Sequence, residues 1–290
     1  MLFISMQNNL NDCDLISIEK VILAEWEKSN FEKEAFTSIA YDALSLIKIE
    51  NIDDFLFNYY NPEKESFPIH HLRGGFTDYP FCLIKNDRFM ISLFVWVKNN
   101  TSIHDHYFSG AFKILQGKSL NKEYSFKKEK EIEPWLFEGK LTCVNSTELE
   151  KGDSQKIELR EKFIHSVIHT ETPTVTVLIR DIRSSKEFHD YVAPNYSWHD
   201  KNPEAKTVTI TSIVERLYRD DSETQRKECY QTLTTEFDNI SDHELFLTFF
   251  FYKDDLNNIY FVEDFMLYLS NKFNWFNDFN SALKKHNKDI

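Results

Sequence analysis

Residues 101–117 read Thr101-Ser-Ile-His-Asp-His-Tyr-Phe-Ser-Gly-Ala-Phe-Lys-Ile-Leu-Gln-Gly117, and this stretch decides how the chain is interpreted. Alternate side chains of a β-strand point to the same side, so His104 and His106 can reach one metal ion. A His-x-His triplet is nevertheless short enough to arise by chance. Taken alone, it fits two partly exposed histidines at the end of a strand equally well.

A second histidine-containing stretch, Phe163-Ile-His-Ser-Val-Ile-His169, follows later in the chain and precedes Pro173. The spacing of His165 and His169 also fits the helix of a zinc protease. That motif requires Glu directly after the first histidine as a general base, and Ser166 stands there. The neighbouring β-branched residues favour a strand. We therefore expect a second histidine-bearing strand.

Together, the two stretches resemble the two motifs of the cupin superfamily. The first cupin motif is His-x-His, three or four residues, Glu, six residues and Gly; here His106 is followed by three residues, Gly110, six residues and Gly117. The segments SIHDH (102–106) and KILQG (113–117) resemble the corresponding segments of cysteine dioxygenase and its thiol dioxygenase relatives. Gly152-Asp153 suits the turn that opens the second motif, in which His165 corresponds to the metal ligand. The resemblance covers residues 81–180.

This resemblance implies a double-stranded β-helix barrel and a metal site made of His104, His106 and His165. Gly110 holds the place of the usual Glu ligand, so three neutral imidazoles would leave about three coordination positions open. Such a site keeps the +2 charge of its ion, which favours an anionic or chelating substrate. Fe(II) is the expected cofactor for oxygen chemistry, while Zn, Ni, Mn and Cu are alternatives.

The substrate-binding residues of the thiol dioxygenases are not retained. Their early Arg corresponds to Phe81, and their Ser-x-His-x-Tyr constellation falls on Thr176, Leu178 and Arg180. The cysteine substrate of the family is therefore not transferred to this chain.

Two residues are expected to act on the substrate instead. Arg180 would project toward the cavity and bind a carboxylate or phosphate with both arms of its guanidinium group. The alternative is that Arg180 lies at the mouth of the barrel and pairs with Asp181 or another acid. His169 lies on the same face as His165, at a position where many cupins have Asn. We predict that it orients a neighbouring side chain of the metal site or lines the pocket.

Turn-forming residues divide the chain into three segments. All six glycines lie between residues 74 and 152, and all seven prolines lie between residues 62 and 203. Strands are predicted within this middle part, including Arg88–Lys98, which is apolar on both faces and therefore predicted to be buried on both sides. The sequence predicts an N-terminal helical segment (1–61), a cupin barrel with the metal site (62–203) and a C-terminal helical extension (204–290). The fold class is thus a mainly β core with α-helical flanks.

Helices are predicted on both flanks from their capping boxes and apolar periodicity. The predicted capping boxes are Ser29 with Glu32, Ser222 with Gln225 and Ser241 with Glu244. The C-terminal helices are predicted near 223–236, 242–252, 258–273 and 276–286. The Phe-rich run from Phe246 to Phe251 is expected to be core. These helices either pack on the barrel or form a dimer or partner surface, and the sequence leaves both alternatives open.

The composition limits the classes of partner. The net charge is -13, so nucleic acid and anionic membranes are unexpected partners. The sequence shows no signal peptide and no apolar run of transmembrane length, and its four scattered cysteines form no CxxC pair. We expect a cytoplasmic protein with reduced, mostly buried thiols.

The expected function is that of a mononuclear non-haem Fe(II) oxygenase or dioxygenase, with O2 and a small anionic metabolite as its substrates. Two alternatives remain. One is a cupin that binds a metal or small ligand without turnover, acting as a sensor or interaction protein. The other is a metal-dependent isomerase or lyase without redox chemistry.

Overall fold

The structure is a computed structural model that describes residues 15–49, 51–59, 79–97, 100–182, 188–193, 195–200, 203–218, 223–252 and 258–289. The N-terminal helices are α1 (Leu15–Lys28), α2 (Lys33–Ala43) and α3 (Ile52–Tyr59). Eleven strands follow: β1 (Tyr79–Lys85), β2 (Phe89–Trp96), β3 (Ile103–His104), β4 (Gly110–Gln116), β5 (Ser119–Glu133), β6 (Leu136–Leu149), β7 (Ser154–Ile157), β8 (Ile164–His169), β9 (Thr174–Asp181), β10 (Phe188–Val192) and β11 (Tyr196–Asp200). The C-terminal helices are α4 (Ala205–Leu217), α5 (Glu223–Phe237), α6 (Asp242–Tyr252), α7 (Ile259–Lys272) and α8 (Phe276–Asp289).

The strands form two antiparallel sheets with a jelly-roll topology. The first has the order β1–β2–β9–β4–β7, and the second, which is closed, has the order β10–β11–β6–β5–β8–β3. From β2 to β9 the chain repeatedly crosses from one sheet to the other, so most neighbouring strands are distant in sequence. This is the jelly-roll arrangement in which cupins are built. The predicted fold class, a mainly β core with helices on both flanks, is confirmed.

Strand β2 is buried on both faces, as predicted. Phe89, Ile91, Leu93 and Val95 belong to one apolar core together with residues of α1 and α2. Phe94, on the opposite face, packs against a second apolar cluster, and phenylalanine rings of this cluster contact His106 and His165. The first sheet therefore separates a helical layer from the candidate site.

The chain divides into two compact units. One comprises the described residues up to Phe126 together with Thr142–His189, and the other comprises Lys127–Leu141 and Asp190–Ile290. The second unit has its own core, to which α4–α8 and Trp135 contribute, and Phe246 and Phe249 are buried in it as predicted. The predicted division into segments 1–61, 62–203 and 204–290 stays a prediction.

Several local features differ from the sequence-based expectations. Helices α1 and α4 lie within the segments predicted to be helical, although no sequence pattern above marks their bounds, and the long strands β5 and β6 are not indicated individually. Ser29 does not cap α2: the residue before this helix is Glu32, and the Ser29 hydroxyl donates to the Trp26 carbonyl at 2.9 Å. Ser241 does receive a hydrogen bond from the Glu244 amide, at 3.3 Å. Ser222 lies outside the described residues.

No disulfide joins the cysteines within the described parts of the chain. The expectation of mostly buried thiols is wrong for these residues, since Cys229 is buried, Cys82 is partly buried and Cys143 is exposed. Cys13 lies outside the described residues. None of the described helices combines the length and the apolar character needed to span a bilayer.

Candidate metal centre

The three predicted metal ligands come together inside the first unit. His104 is the last residue of β3 and lies directly opposite His165 of the neighbouring strand β8. His106 follows two residues after His104, on the same face of the chain. All three side chains are buried, with exposed fractions of 2%, 5% and 4% for His104, His106 and His165.

The spacing of the imidazoles fits a single ion. One nitrogen from each ring lies within 4.8 Å of the others. The Nε2 atoms of His106 and His165 are 3.0 Å apart. Two nitrogen ligands with bonds of about 2.1 Å and an angle near 90° at the metal are separated by about 3.0 Å. The donor set therefore fits a divalent transition metal, and in the described part of the chain no carboxylate joins this group.

Hydrogen bonds from the outer ring nitrogens orient two of the imidazoles. The Nδ1–H of His104 donates to the Ser102 carbonyl at 2.9 Å. The Nδ1–H of His165 donates to the side-chain oxygen of Asn121 at 2.8 Å. Such bonds fix the tautomer in which Nε2 carries the lone pair. No sequence pattern singles out Asn121.

Burial favours the neutral form of His106 and His165. It holds the pKa of His106 well below its usual range, and the nearby charges of His104, His165 and Arg180 lower it further. Burial also lowers the pKa of His165, with His104 as the second cause. Only the neutral ring has a lone pair free to bind a metal. The protein therefore presents these rings in the form that a cation requires.

Aromatic side chains surround the histidines. The ring centroid of Phe163 is 4.5 Å from that of His165, and the ring of Phe108 is 4.8 Å from that of His106. Both phenylalanines are buried in an apolar cluster that also contains Phe112, Ile114, Leu149, Ile157 and Leu178. Apolar walls strengthen electrostatic interactions within the site because they exclude water.

Asp105 anchors the segment that carries two of the ligands. Its carboxylate accepts hydrogen bonds from the backbone N–H and the ring Nδ1–H of His189, at 2.8 and 2.9 Å. The Asp105 amide also donates to the His189 carbonyl at 3.0 Å. Asp105 is buried, and it joins the chain between His104 and His106 to the start of β10. No local pattern indicates this contact, because the partners are 84 residues apart.

Gly110 lies where the resembled motif has Glu, and its position leaves no room for a side chain. A Cβ atom there would overlap the Ile179 carbonyl oxygen and come within 3.0 Å of the Arg180 Cα. Strands β4 and β9 thus approach too closely for a carboxylate ligand from this residue.

Arg180 lies beside the aromatic wall of the site. Its guanidinium donates to the Tyr107 hydroxyl at 3.1 Å and lies 5.1 Å from the ring centroid of Phe108. The ion pairs formed by the described residues do not include Arg180. The alternative partner Asp181 instead accepts a hydrogen bond from the Ser109 amide at 3.0 Å.

His169, the other predicted site residue, and Phe81, which stands where the thiol dioxygenases have Arg, lie apart from the three histidines. His169 is four residues beyond His165 on β8, about 13 Å along the strand. Its Nδ1 is 2.9 Å from the Ser119 hydroxyl, and its ring stacks on Trp96 at 4.6 Å. A pocket role for His169 stays a prediction. Phe81 belongs to the core formed with α1 and α2, so this side chain does not line the site.

Comparisons with known proteins give matches only among solved structures. No protein-family model matches the chain. No curated protein matches it either. A cupin superfamily protein from Desulfitobacterium hafniense is 16% identical, with 42% of this chain and 93% of that chain covered and a TM-score of 0.24.

Two further solved structures match to a similar degree. KdgF from Halomonas sp. is 11% identical, and the match covers 36% of this chain and 79% of that chain with a TM-score of 0.26. A protein from Bacillus halodurans is 12% identical, and the match covers 36% of this chain and 70% of that chain with a TM-score of 0.27. Values this low say nothing about activity. The jelly-roll topology is given by the strand order of this chain, and its three buried histidines form a cluster that can hold a metal.

Proposed function

We propose that this protein is a mononuclear non-haem iron oxygenase or dioxygenase that acts on a small anionic metabolite. The observation that carries the proposal is the group of three buried imidazoles, which offers three ring nitrogens and, among the described residues, no carboxylate. His104, His106 and His165 would hold the ion. Fe(II) in such a site would supply the activation of O2. The likeness of SIHDH and KILQG to the thiol dioxygenases supports the same class.

The preference for an anionic substrate follows from charge. Three neutral ligands leave the +2 charge of the ion uncompensated, so an anion is attracted to the open coordination positions. Arg180 adds a second positive charge beside Phe108, whose ring contacts that of His106. The Tyr107 hydroxyl holds one arm of the guanidinium and leaves the other donors for a carboxylate or phosphate.

The remaining side chains would exclude water and orient the substrate. Phe108 and Phe163 keep the site apolar around the imidazoles, which strengthens the attraction between the cations and an anionic substrate. We assign Arg180 to substrate binding and His169 to orientation of the substrate farther along the barrel. Leu178 stands where the thiol dioxygenases have His, so cysteine is not the proposed substrate.

The first experiment measures bound metal by inductively coupled plasma mass spectrometry. Wild type is compared with His104→Ala, with His165→Ala and, as a matched control, with His243→Ala in the other unit. We expect about one iron per chain in wild type and in the control, and loss of iron from both ligand variants. Thermal unfolding of each variant verifies that it is folded. Wild type that binds no metal under any reconstitution would contradict the proposal.

The second experiment measures oxygen uptake with a panel of small carboxylates and phosphate esters. We expect uptake with wild type, none with His104→Ala, and a strongly reduced rate with Arg180→Met despite normal iron content. The imidazole donor set also suits zinc and nickel. Zinc or nickel bound through the same histidines, without oxygen uptake, would favour the second candidate function, a metal-dependent isomerase, lyase or ligand-binding protein.

A further inference from the structure

Asn121 is a completely buried polar residue next to the candidate metal centre. It lies on β5 and faces the neighbouring strand β8. Its side-chain oxygen accepts the hydrogen bond from His165 Nδ1–H at 2.8 Å. Its side-chain nitrogen donates to Glu123 Oε1 at 3.3 Å. The amide therefore links a predicted ligand to a carboxylate on the same strand as itself.

The NH2 group of Asn121 faces Glu123, whose carboxylate offers it an acceptor. An ionised carboxylate can only accept hydrogen bonds, so the NH2 group of Asn121 must face Glu123. The oxygen of Asn121 then faces His165 and accepts a proton from Nδ1. The Nε2 atom of His165 then keeps its lone pair, which in the metal-free protein can accept a hydrogen bond from Nε2 of His106, 3.0 Å away.

The opposite orientation of the amide would block the ligand. If the NH2 group of Asn121 faced His165, Nδ1 would have to accept a hydrogen bond, and the ring proton would move to Nε2. A protonated Nε2 has no lone pair for a metal. The orientation of the Asn121 amide therefore decides whether Nε2 of His165 can bind a metal.

We infer that Asn121 is a positioning residue that holds His165 in its metal-binding tautomer, and that Glu123 sets the orientation of the Asn121 amide. The inference deepens the proposed function, since it rests on His165 being a ligand. It concerns the resting state of the ring, so it applies to the protein with or without metal and does not depend on which reaction follows.

The test uses two readouts besides activity. In metal-free protein labelled with 15N-histidine, long-range proton–nitrogen NMR spectra distinguish the Nδ1–H from the Nε2–H tautomer of His165. The affinity for zinc, as the probe metal, is measured by competition with a chromogenic chelator. The variants are Asn121→Leu, Glu123→Ala and the exchange variant Asn121→Asp/Glu123→Gln. The control is Asn145→Leu, because exposed Asn145 also donates to Glu123, at 3.4 Å, from the next strand along the chain.

We expect Asn121→Leu to populate both tautomers and to weaken zinc binding by about 10- to 100-fold. Glu123→Ala should have a smaller effect in the same direction, because it allows the amide to turn. The exchange variant should restore the Nδ1–H tautomer and zinc affinity. In that variant the carboxylate introduced at position 121 accepts from His165, and the amide introduced at position 123 donates to this carboxylate. Asn145→Leu should match wild type.

Asn121→Leu with an unchanged tautomer and zinc affinity within twofold of wild type would overturn the inference. So would an exchange variant that folds but does not recover the tautomer. If Asn121→Leu does not fold, the tautomer and zinc affinity of Glu123→Ala and of the exchange variant test the inference instead. A tautomer shift as expected, in a protein without oxygen uptake, would leave this inference standing and remove the proposed oxygenase function.

Discussion

At the scale of single residues, Gly110 shows how backbone packing limits the chemistry of the site. Its Cβ position is occupied by the Ile179 carbonyl oxygen and crowded by the Arg180 Cα, which are backbone atoms and cannot turn aside. The absence of a carboxylate ligand at this position is therefore built into the approach of β4 to β9. Restoring Glu at this position would require the two strands to separate.

Substitution of Gly110 tests this conclusion. We expect Gly110→Ala to lower the free energy of unfolding by about 1–3 kcal/mol, the usual cost of overpacking, as measured by urea denaturation. We expect Gly110→Glu to cost at least as much and to add no metal affinity. A stable Gly110→Glu protein that binds metal more tightly than wild type would show that the strands can move apart.

The sequence predicts the three histidines but not the residues that hold them. His104, His106 and His165 can be recognised because their strand spacing and order along the chain resemble known motifs. Asn121 and Asp105 carry no such pattern. Their partners are 44 and 84 residues away, and only the pairing of the strands brings them together. Contacts of this kind depend on strand register, which a single sequence does not specify.

At the scale of elements, the contact between α2 and the first sheet is expected to carry much of the stability of the first unit. Phe36 is completely buried, and its ring lies 4.3 Å from that of Trp26 and 6.1 Å from that of Phe89. We expect Phe36→Ala to lower the free energy of unfolding by about 3–5 kcal/mol, because it removes a large ring from a packed core. Urea denaturation followed by circular dichroism measures the change.

Val21 supplies the control for this helical layer. It lies on α1 but is 42% exposed. We expect Val21→Ala to change the stability by less than about 0.5 kcal/mol. Equal losses of unfolding free energy in Phe36→Ala and Val21→Ala would mean that Phe36 does not specifically anchor α2.

Ser29 and Ser241 belong to the same capping-box pattern but behave differently, because this sequence pattern does not specify the backbone conformation. Asn30 and Phe31 have φ values of 53° and 58°, so the chain turns sharply after Ser29 and α2 starts only at Lys33. Ser241 directly precedes α6 and accepts from the Glu244 amide. The same pattern therefore predicts one helix start correctly and the other incorrectly.

This difference should be measurable. We expect Ser241→Ala to destabilise the protein by about 1 kcal/mol through loss of the cap. Ser241→Asp, which preserves an acceptor, should retain most of the stability. Ser29→Ala should cost less than Ser241→Ala, since its hydroxyl only donates to a carbonyl within the turn. The opposite order in thermal and urea denaturation would contradict this assignment of the caps.

At the scale of the whole molecule, buried tyrosines link stability to alkaline pH. Burial and the neighbouring Asp264 raise the pKa of Tyr218, and burial and Asp238 raise that of Tyr268. In the unfolded chain both phenols ionise near pH 10, whereas in the folded protein they stay neutral to higher pH. The stability that they contribute is present below about pH 10 and is lost as the pH rises further.

We therefore expect the free energy of unfolding to fall steeply above about pH 10. Tyr218→Phe should reduce this slope, because the variant has no phenol to ionise at that position. Tyr41→Phe, at an exposed tyrosine, is the matched control and should preserve the slope. Urea denaturation at a series of pH values measures the effect, and identical slopes for all three proteins would contradict the assignment to Tyr218.

The second unit is assembled from two separate stretches of chain, and this has a consequence for synthesis. Trp135 and Leu136 lie in residues 127–141, but the rest of their core comes from residues after Asp190. Translation from the N-terminus therefore releases these apolar side chains from the ribosome long before α4–α8 exist to cover them. This unit cannot complete its core until its last helices have been made, so every nascent chain passes through a stage with an uncovered indole at Trp135.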